Sequence, residues 1–381
     1  MSATGTGDGR ASRAPTSALT AGRLMLAVAL VLSGCGTGNI PMGQPAVPAG
    51  SAPADGRCVT GSLKAEGSSA QKIAMDRWRA LYQQKCPAAT VGYQATSSVE
   101  GIKTLIDGKA DFVGSDIPLS EEEQRSADKR CGAGPAIHLP MAVGQIALAY
   151  RVPGLFNLRL GPVGLAKIFS GSATRWDDAA IRADNPAAAL PPTPIRTVHR
   201  SDSSGTTDNF TTFLAAAAPG DWTFGRGRDW KAPGGTGAMG TSGVTRAVRD
   251  GEGTIGYVEL SAAQKAALSV AGIDSGAGDY VQPTSEGAER AIKASKIESE
   301  GNDVRLEIDY AGRKPAAYPV VLVTYEIVCQ KGLEPGKAAL ARSFLSYTAG
   351  LLGQRELPGL GYASLPDPVR QRVEFAVASI A

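Results

Sequence analysis

Histidine is almost missing from this chain: His138 and His199 are the only two in 381 residues, far apart and without a ligand cluster around either. That argues against a histidine-built zinc centre and against a resident metal. A hydrolase triad drawn from Ser203 or Ser204, His199 and Asp202 lacks the G-x-S-x-G elbow, and His199 and Ser204 are too close in the chain. An excess of one charge is also missing. The 39 Lys and Arg nearly balance the 36 Asp and Glu, for a net +3, so there is no basic footprint for nucleic acid. Aromatic residues are 6% of the chain, too few for base-stacking platforms. No two cysteines have C-x-x-C spacing, and no apolar run reaches the roughly 20 residues needed to cross a bilayer.

The N-terminus is rich in signal by comparison. Arg10, Arg13 and Arg23 precede the apolar run Leu24 to Leu32, and Ser33, Gly34 and Cys35 follow. A basic region, a short apolar core and small residues before a cut site form a bacterial secretory signal. LSGC also fits a lipobox, in which cleavage precedes the cysteine and lipid is attached to it. The expectation is a signal peptide over 1–34, lipidation at Cys35, and export to the outer side of the cytoplasmic membrane. Residues 35–57, rich in Gly, Pro, Ala and Ser, read as the lipidated flexible tether. Export leaves Cys58, Cys86, Cys131 and Cys329 in an oxidising compartment, where two disulfides are expected. Four cysteines allow three pairings, and the sequence does not choose among them.

From Cys58 onward short strands alternate with helices. SAQKIAMDRWRALYQQ carries Ile73, Trp78 and Leu81 at helical spacing and ends near Lys85. TVGYQA, GIKTLIDG, ADFVGSD, SEEEQRSADKR, AIHLP and MAVGQIALAY continue the rhythm, which predicts an α/β fold with mostly parallel strands. The polar segment 283–316 reads as surface decoration on a middle block. GGTGAMGTSG (Gly234 to Gly243) invites a phosphate-loop comparison but has Thr241 where that motif needs Lys, so it reads as a mobile loop near a cleft mouth.

HRSDSSGTTDNF, at 199–210, places many donors where a helix begins. Ser203 or Ser204 is the expected N-cap, and the first turn offers free N–H groups and the positive end of the helix dipole to an anion. Gly205 permits close approach of an oxyanion, and Arg200 adds a charged fork. Read alone, the stretch is equally a well-capped helix. EGSSAQ and ATSSVEGIK put further hydroxyls at two more strand-to-helix turns, with Ser97 or Ser98 at the second.

The blocks LKAEGSSA, YQATSSVEGIKTLIDGKADFVGSDIPLS, KIFSGSATRWDD, VHRSDSSGTT, GTIGYVEL and GYASLPDPV lie in order across residues 61–368. Together they resemble the phosphate-binding protein of bacterial Pst-type ABC transporters. The resemblance implies a two-lobed periplasmic-binding-protein fold of type II, each lobe a mainly parallel sheet flanked by helices, with the ligand in the cleft between them. Residues 58–141 and 320–381 would form one lobe and 142–319 the other. By motif position the ligand set is Ser69, Ala70, Ser98, Asp116, Arg200, Ser204, Gly205 and Thr206. The sequence departs from the family where the first turn usually reads GATF and the second GSSGG. The implied function is capture of inorganic phosphate, without cofactor or catalysis, for the permease and ATPase subunits of an importer, with lipid on Cys35 as the membrane anchor. An exported phosphatase and a receptor for another tetrahedral oxyanion are the alternatives.

Overall fold

The computed structural model describes residues 58–293 and 295–381. The signal peptide, Cys35 and the tether expected before Cys58 lie outside the described residues.

The first part follows the expected alternation: β1 (Gly61–Gly67), α1 (Lys72–Lys85), β2 (Ala89–Ala95), α2 (Ser98–Ile106), β3 (Phe112–Ser115) and α3 (Glu121–Cys131). The buried face of α1 is Ala74, Met75, Trp78 and Tyr82; of the expected Ile73, Trp78 and Leu81, only Trp78 is buried. The neighbours choose that face, since Trp78 Nε1 donates to the Gly353 carbonyl and Tyr82 packs edge-on against Phe344. AIHLP and MAVGQIALAY, read as two segments, form one strand, β4 (Ala136–Arg151). Pro140 is tolerated inside it because the register against its partner slips there, between Thr324 and Tyr325.

The chain continues through β5 (Arg159–Leu160), α4 (Pro162–Ser170), α5 (Ala179–Asp184), β6 (Arg196–Arg200), α6 (Gly205–Ala217), β7 (Thr236–Ala238), α7 (Gly240–Asp250), β8 (Thr254–Glu259) and α8 (Leu260–Lys265). Short strands β9 (Ser269–Val270), β10 (Gly272–Asp274) and β11 (Tyr280–Val281) lead to α9 (Ser285–Lys293) and the hairpin β12 (Lys296–Glu300) with β13 (Asp303–Glu307). The last elements are β14 (Val321–Cys329), α10 (Pro335–Ala349), α11 (Leu351–Gln354), β15 (Tyr362–Ala363) and α12 (Asp367–Ala378).

The main sheet runs β2-β1-β3-β14-β4-β8-β6-β7, with β15 and β9 also on β4. Two parallel sets, β2-β1-β3 and β8-β6-β7, match the expected lobes' sheets. Between them β14 and β4 run antiparallel to each other and to their flanking strands, so the pairing is more mixed than alternation alone predicts. All nine residues of β14 are buried, as are the first fifteen of β4. A strand covered on both faces reads as a continuous apolar run, which suits VVLV and IALA.

The segment 283–316 is not decoration. Val304 and Leu306 of β13 are buried, and Tyr325 of β14 meets the Leu306 N–H through its hydroxyl. His138 of β4 completes the contact: its Nε2 accepts the Leu119 N–H, leaving Nδ1–H to donate to Asp303 at 2.6 Å. Disulfides pair Cys58 with Cys86 and Cys131 with Cys329. The first ties the start of the described chain to the end of α1; the second ties the end of α3 to the end of β14.

Candidate functional site

In the parallel sets, the carboxyl ends of β1 and β3 face the helix starts of α1 and α2, and those of β6 and β8 face α6 and α7. Such strand-to-helix turns are where α/β sheets hold ligands. Asp116 follows directly on β3 and is 4% exposed. Its Oδ2 accepts hydrogen bonds from Ser68 Oγ at 2.6 Å and Ser98 Oγ at 3.1 Å, and its Oδ1 accepts one from Thr324 Oγ1 at 3.0 Å. Three hydroxyl donors against about four lone-pair positions leave room for one more donor. Burial pushes the Asp116 carboxyl up to about 6, opposed by the Ser68 hydrogen bond, raised further by the charge of Glu259, and opposed again by Thr324 and Ser98. At neutral pH the group is therefore mainly an ionised acceptor.

The start of α6 is packed against this carboxylate. Ser204 is the N-cap, its Oγ accepting the Thr207 N–H at 3.1 Å. The N–H groups of Gly205 and Thr206 lie ahead of the first intrahelical bond and remain donors. Gly205 sits so close to the facing turn that a Cβ there would stand 2.7 Å from both Asp116 Cβ and Ser98 Oγ. Asn209, one turn on, donates from Nδ2 to the Asp116 carbonyl at 2.9 Å and to the Gly205 carbonyl. At α2, Ser97 is the cap and Ser98 the first helical residue.

Thr206 and Ser69 are joined through Thr241 and Glu259, to which the sequence reading gave no part in the site. Thr206 Oγ1 donates to Glu259 Oε1 and Thr241 Oγ1 to Glu259 Oε2, both at 2.8 Å. Ser69 Oγ lies 3.0 Å from Thr241 Oγ1 and accepts the Thr241 N–H at 3.3 Å. GGTGAMGTSG is thus not a loop: it supplies the turn before β7, β7 itself and the first turn of α7. The Ala70 N–H donates to Ser68 Oγ at 3.0 Å.

Arg200, 3% exposed, ends β6 and is gripped by Asp202, whose two oxygens receive its Nε (2.8 Å) and Nη2. Asp202 also accepts the Gly240 N–H at 3.0 Å. The partner of Arg200 is therefore Asp202 and not Asp116. The Arg200 N–H donates to Tyr257 Oη at 3.0 Å, which lies 2.8 Å from Thr207 Oγ1. Tyr257 is fixed by stacking on Phe210, with ring centroids 4.7 Å apart. The ring of His199 stacks on Trp230.

The structure therefore brings Ser98, Asp116 and Gly205 into direct contact. It links Ser69 to Thr206 through Thr241 and Glu259, and sets Arg200 and Ser204 on a common support. Ser68, Thr241, Glu259, Asn209 and Thr324 are the additions. Ser68, Asn209, Thr241 and Glu259 stood inside motifs already singled out, EGSSAQ, HRSDSSGTTDNF, GGTGAMGTSG and GTIGYVEL. Thr324 had no local signal, because only the β3–β14 pairing carries it to Asp116. A cavity of about 740 Å³ opens beside Ser69, Ala70 and Thr241. The charged residues lining it are Lys72, Arg246, Arg249 and Lys265, all basic, which raises local anion concentration. Among the described residues there is no cluster of His, Cys, Asp and Glu suited to a metal ion, and no helix long and apolar enough to cross a membrane.

Comparison with known proteins identifies the family and the fold. The family model of the PBP superfamily domain matches residues 48–350. Phosphate-binding protein PstS 3 of Mycobacterium tuberculosis is 41% identical over 362 residues, covering 94% of this chain and 97% of that protein. Its counterpart in Mycobacterium leprae is 39% identical over 364 residues, covering 94% and 97%, and phosphate-binding protein PstS of Xylella fastidiosa is 33% identical, covering 84% and 86%. Among solved structures, the periplasmic phosphate-binding protein PfluDING superposes with a TM-score of 0.67 at 20% identity, covering 83% of this chain and 93% of that one. The phosphate-binding protein of Stenotrophomonas maltophilia superposes with a TM-score of 0.64 at 20% identity, covering 83% and 93%. The chain belongs to the PBP superfamily and, within it, to the family of the PstS phosphate-binding proteins.

Proposed function

We propose that this chain captures inorganic phosphate in the cleft lined by β3, α2 and the start of α6, and hands it to the permease of an ABC importer. The PstS relatives, named for phosphate binding, and the fold shared with phosphate-binding structures support this reading. The observation that carries it is Asp116. Near neutral pH phosphate keeps at least one proton, and a buried carboxylate with an acceptor position to spare matches that proton. Sulfate has none, and would meet Asp116 charge against charge at a cost of several kcal/mol.

The proposed ligands are Ser69, Ala70, Ser98, Asp116, Arg200, Ser204, Gly205 and Thr206; the N–H groups of Gly205 and Thr206 are free to donate, whereas the Ala70 N–H and the Ser98, Ser204 and Thr206 hydroxyls must turn to the ligand from Ser68, Asp116, Thr207 and Glu259. Residues 58–141 with 320–381 would form one wall and 142–319 the other, β4 and β14 connecting them. Closing one wall on the other shifts with ligand. The role is binding without catalysis. Two disulfides fit an exported chain, with Cys35 as the proposed lipid anchor and the permease and ATPase subunits as partners.

The test is calorimetric titration with phosphate and with sulfate, on the wild type and on Asp116→Asn. The wild type should bind phosphate and reject sulfate, and the variant should lose most of that discrimination. A folded wild type that ignores phosphate sinks the proposal, and turnover of a phosphomonoester would favour the enzyme reading instead.

A further inference from the structure

Glu326 belongs to none of the site described above, yet it lies close behind it. It is in the middle of β14, 0% exposed, in register with Gly114 of β3 on one side and Leu139 of β4 on the other. Residues paired across strands face the same side of a sheet. Gly114 has no side chain, and the space above it is taken by Gln71 and Tyr93: a Cβ there would collide with Gln71 Nε2 and stand 2.5 Å from Tyr93 Oη. Glu326 therefore projects beside those two groups. Thr324, two residues back and on the same face, is the residue that donates to Asp116. Asp116 is thus about 7 Å along the strand from Glu326, by strand rise.

The two carboxyls have opposite surroundings. Asp116 receives three hydroxyl hydrogen bonds. Neither oxygen of Glu326 has a hydrogen-bond partner, and the nearby Gln71 Oε1 has none either. The titratable groups that act on Glu326 and its neighbours are Asp116 after β3, Tyr93 of β2 and Tyr362 of β15, with Glu259 of β8 behind Asp116; none is a cation. An ionised Glu326 would be a second buried anion without a counter-ion, eased only by the nearby Gln71 amide, which costs several kcal/mol. One proton removes that charge and supplies a donor where the unpartnered atoms, Gln71 Oε1 and the two Glu326 oxygens, are all acceptors. Where two carboxyls have environments this different, the proton goes to the worse-solvated one.

We propose that Glu326 is a specificity-determining residue: a neutral carboxylic acid that holds the proton of a two-carboxyl pair with Asp116. Asp116 then keeps its charge for the proton of the ligand, and ionisation of Glu326 ends anion binding at alkaline pH. This rests on the reading of the cleft as a phosphate site. Burial pushes Glu326 up to about 8, opposed next by the Gln71 side chain and, by a smaller amount, raised further by the Asp116 charge. If only the protonated form binds, the competent fraction at pH 9.5 is about one thirtieth, and the apparent Kd rises about 30-fold.

The experiment has two arms. In the first, infrared spectra of the ligand-free wild type are recorded from pH 6.5 to 9.5. A protonated-carboxyl C=O band should persist at pH 7.5, fade above pH 8, and be absent from Glu326→Gln. In the second, phosphate Kd is measured across the same range for both proteins; the ionisation of phosphate itself is common to both and cancels in their ratio. The wild type should weaken about 30-fold relative to Glu326→Gln by pH 9.5. Wild-type protein lacking the C=O band at pH 7.5 overturns the inference even if the variant does not fold. Superimposable Kd profiles also overturn it while leaving the phosphate reading intact. No phosphate binding at any pH defeats the phosphate reading instead, and the infrared arm still decides where the proton sits.

Discussion

A methyl group added at Gly205 tests the geometry of the cleft without touching any charge. In Gly205→Ala the new Cβ would stand 2.7 Å from Asp116 Cβ and 2.7 Å from Ser98 Oγ. Ordinary contact needs about 3.5 Å or more, so the start of α6 must retreat by most of an ångström from the turn that carries Asp116. Overpacking of this kind costs about 1–3 kcal/mol. The backbone at Gly205 is ordinary helix, and Ala is the better helix former by up to about 1 kcal/mol. The two effects fall on different equilibria: α6 itself gains slightly, while the approach of α6 to Asp116 and Ser98 is penalised. We expect a melting temperature within a few degrees of wild type and phosphate affinity weakened about 5- to 150-fold, 1.4 kcal/mol being tenfold. Calorimetric titration with phosphate, beside thermal unfolding followed by circular dichroism, separates the two. Unchanged affinity in a folded Gly205→Ala would refute the claim that these turns close on the ligand at contact distance.

Two further outcomes concern stability. Glu123, in the first turn of α3, meets Arg228 from beyond α6 through both oxygens (2.5 and 2.8 Å) and caps its own helix at Ser120. Burial would raise its carboxyl, yet the Arg228 guanidinium and the Ser120 N–H hold it down at about 2. A depressed carboxyl stabilises the fold above its ordinary pKa, near 4.5, and loses that contribution as pH falls towards 2. After discounting for partial exposure, Glu123→Gln should cost about 1–2 kcal/mol at pH 7 and flatten the acid decline below pH 4.5, read by urea unfolding across pH. A decline as steep as wild type's would show the pair to be inert. Cys131→Ser with Cys329→Ser opens a crosslink spanning 198 residues. Chain entropy puts its ceiling at about 5 kcal/mol, so urea unfolding should show a loss of about 2–5 kcal/mol with phosphate binding retained below the transition. A midpoint equal to wild type's would mean that the unfolded chain gains nothing from release.

The strand-to-helix turns were legible because their chemistry is local. A hydroxyl before a helix caps it whatever the rest of the chain does, so the sequence narrowed the caps to Ser97 or Ser98 and Ser203 or Ser204 and put the start of α6 near Gly205, and the structure chose Ser97 and Ser204. The α1 stripe was misread: at 3.6 residues per turn Met75, Trp78 and Tyr82 share one face, while Ile73 stands about 140° round the helix from Trp78, and Gly353 and Phe344, far along the chain, hold the face that is buried. Pro140 concealed a continuous strand because its cost depends on a bulge against β14.

The sequence by itself determined the kinds of groups available: three hydroxyl-rich helix starts, one acidic residue after β3, one arginine ending β6, and four cysteines beyond Cys35. Those depend on residue type and on short spacing. Only the tertiary structure decided their partners. It paired Cys58 with Cys86 and Cys131 with Cys329, gave Arg200 to Asp202, and used Glu259 to join Thr206 to Thr241. It also placed Thr324 and Glu326 of one strand on either side of the question of where a proton sits. Partnership at those distances is set by sheet register and by which strands meet, and neither is written in any short stretch of the chain.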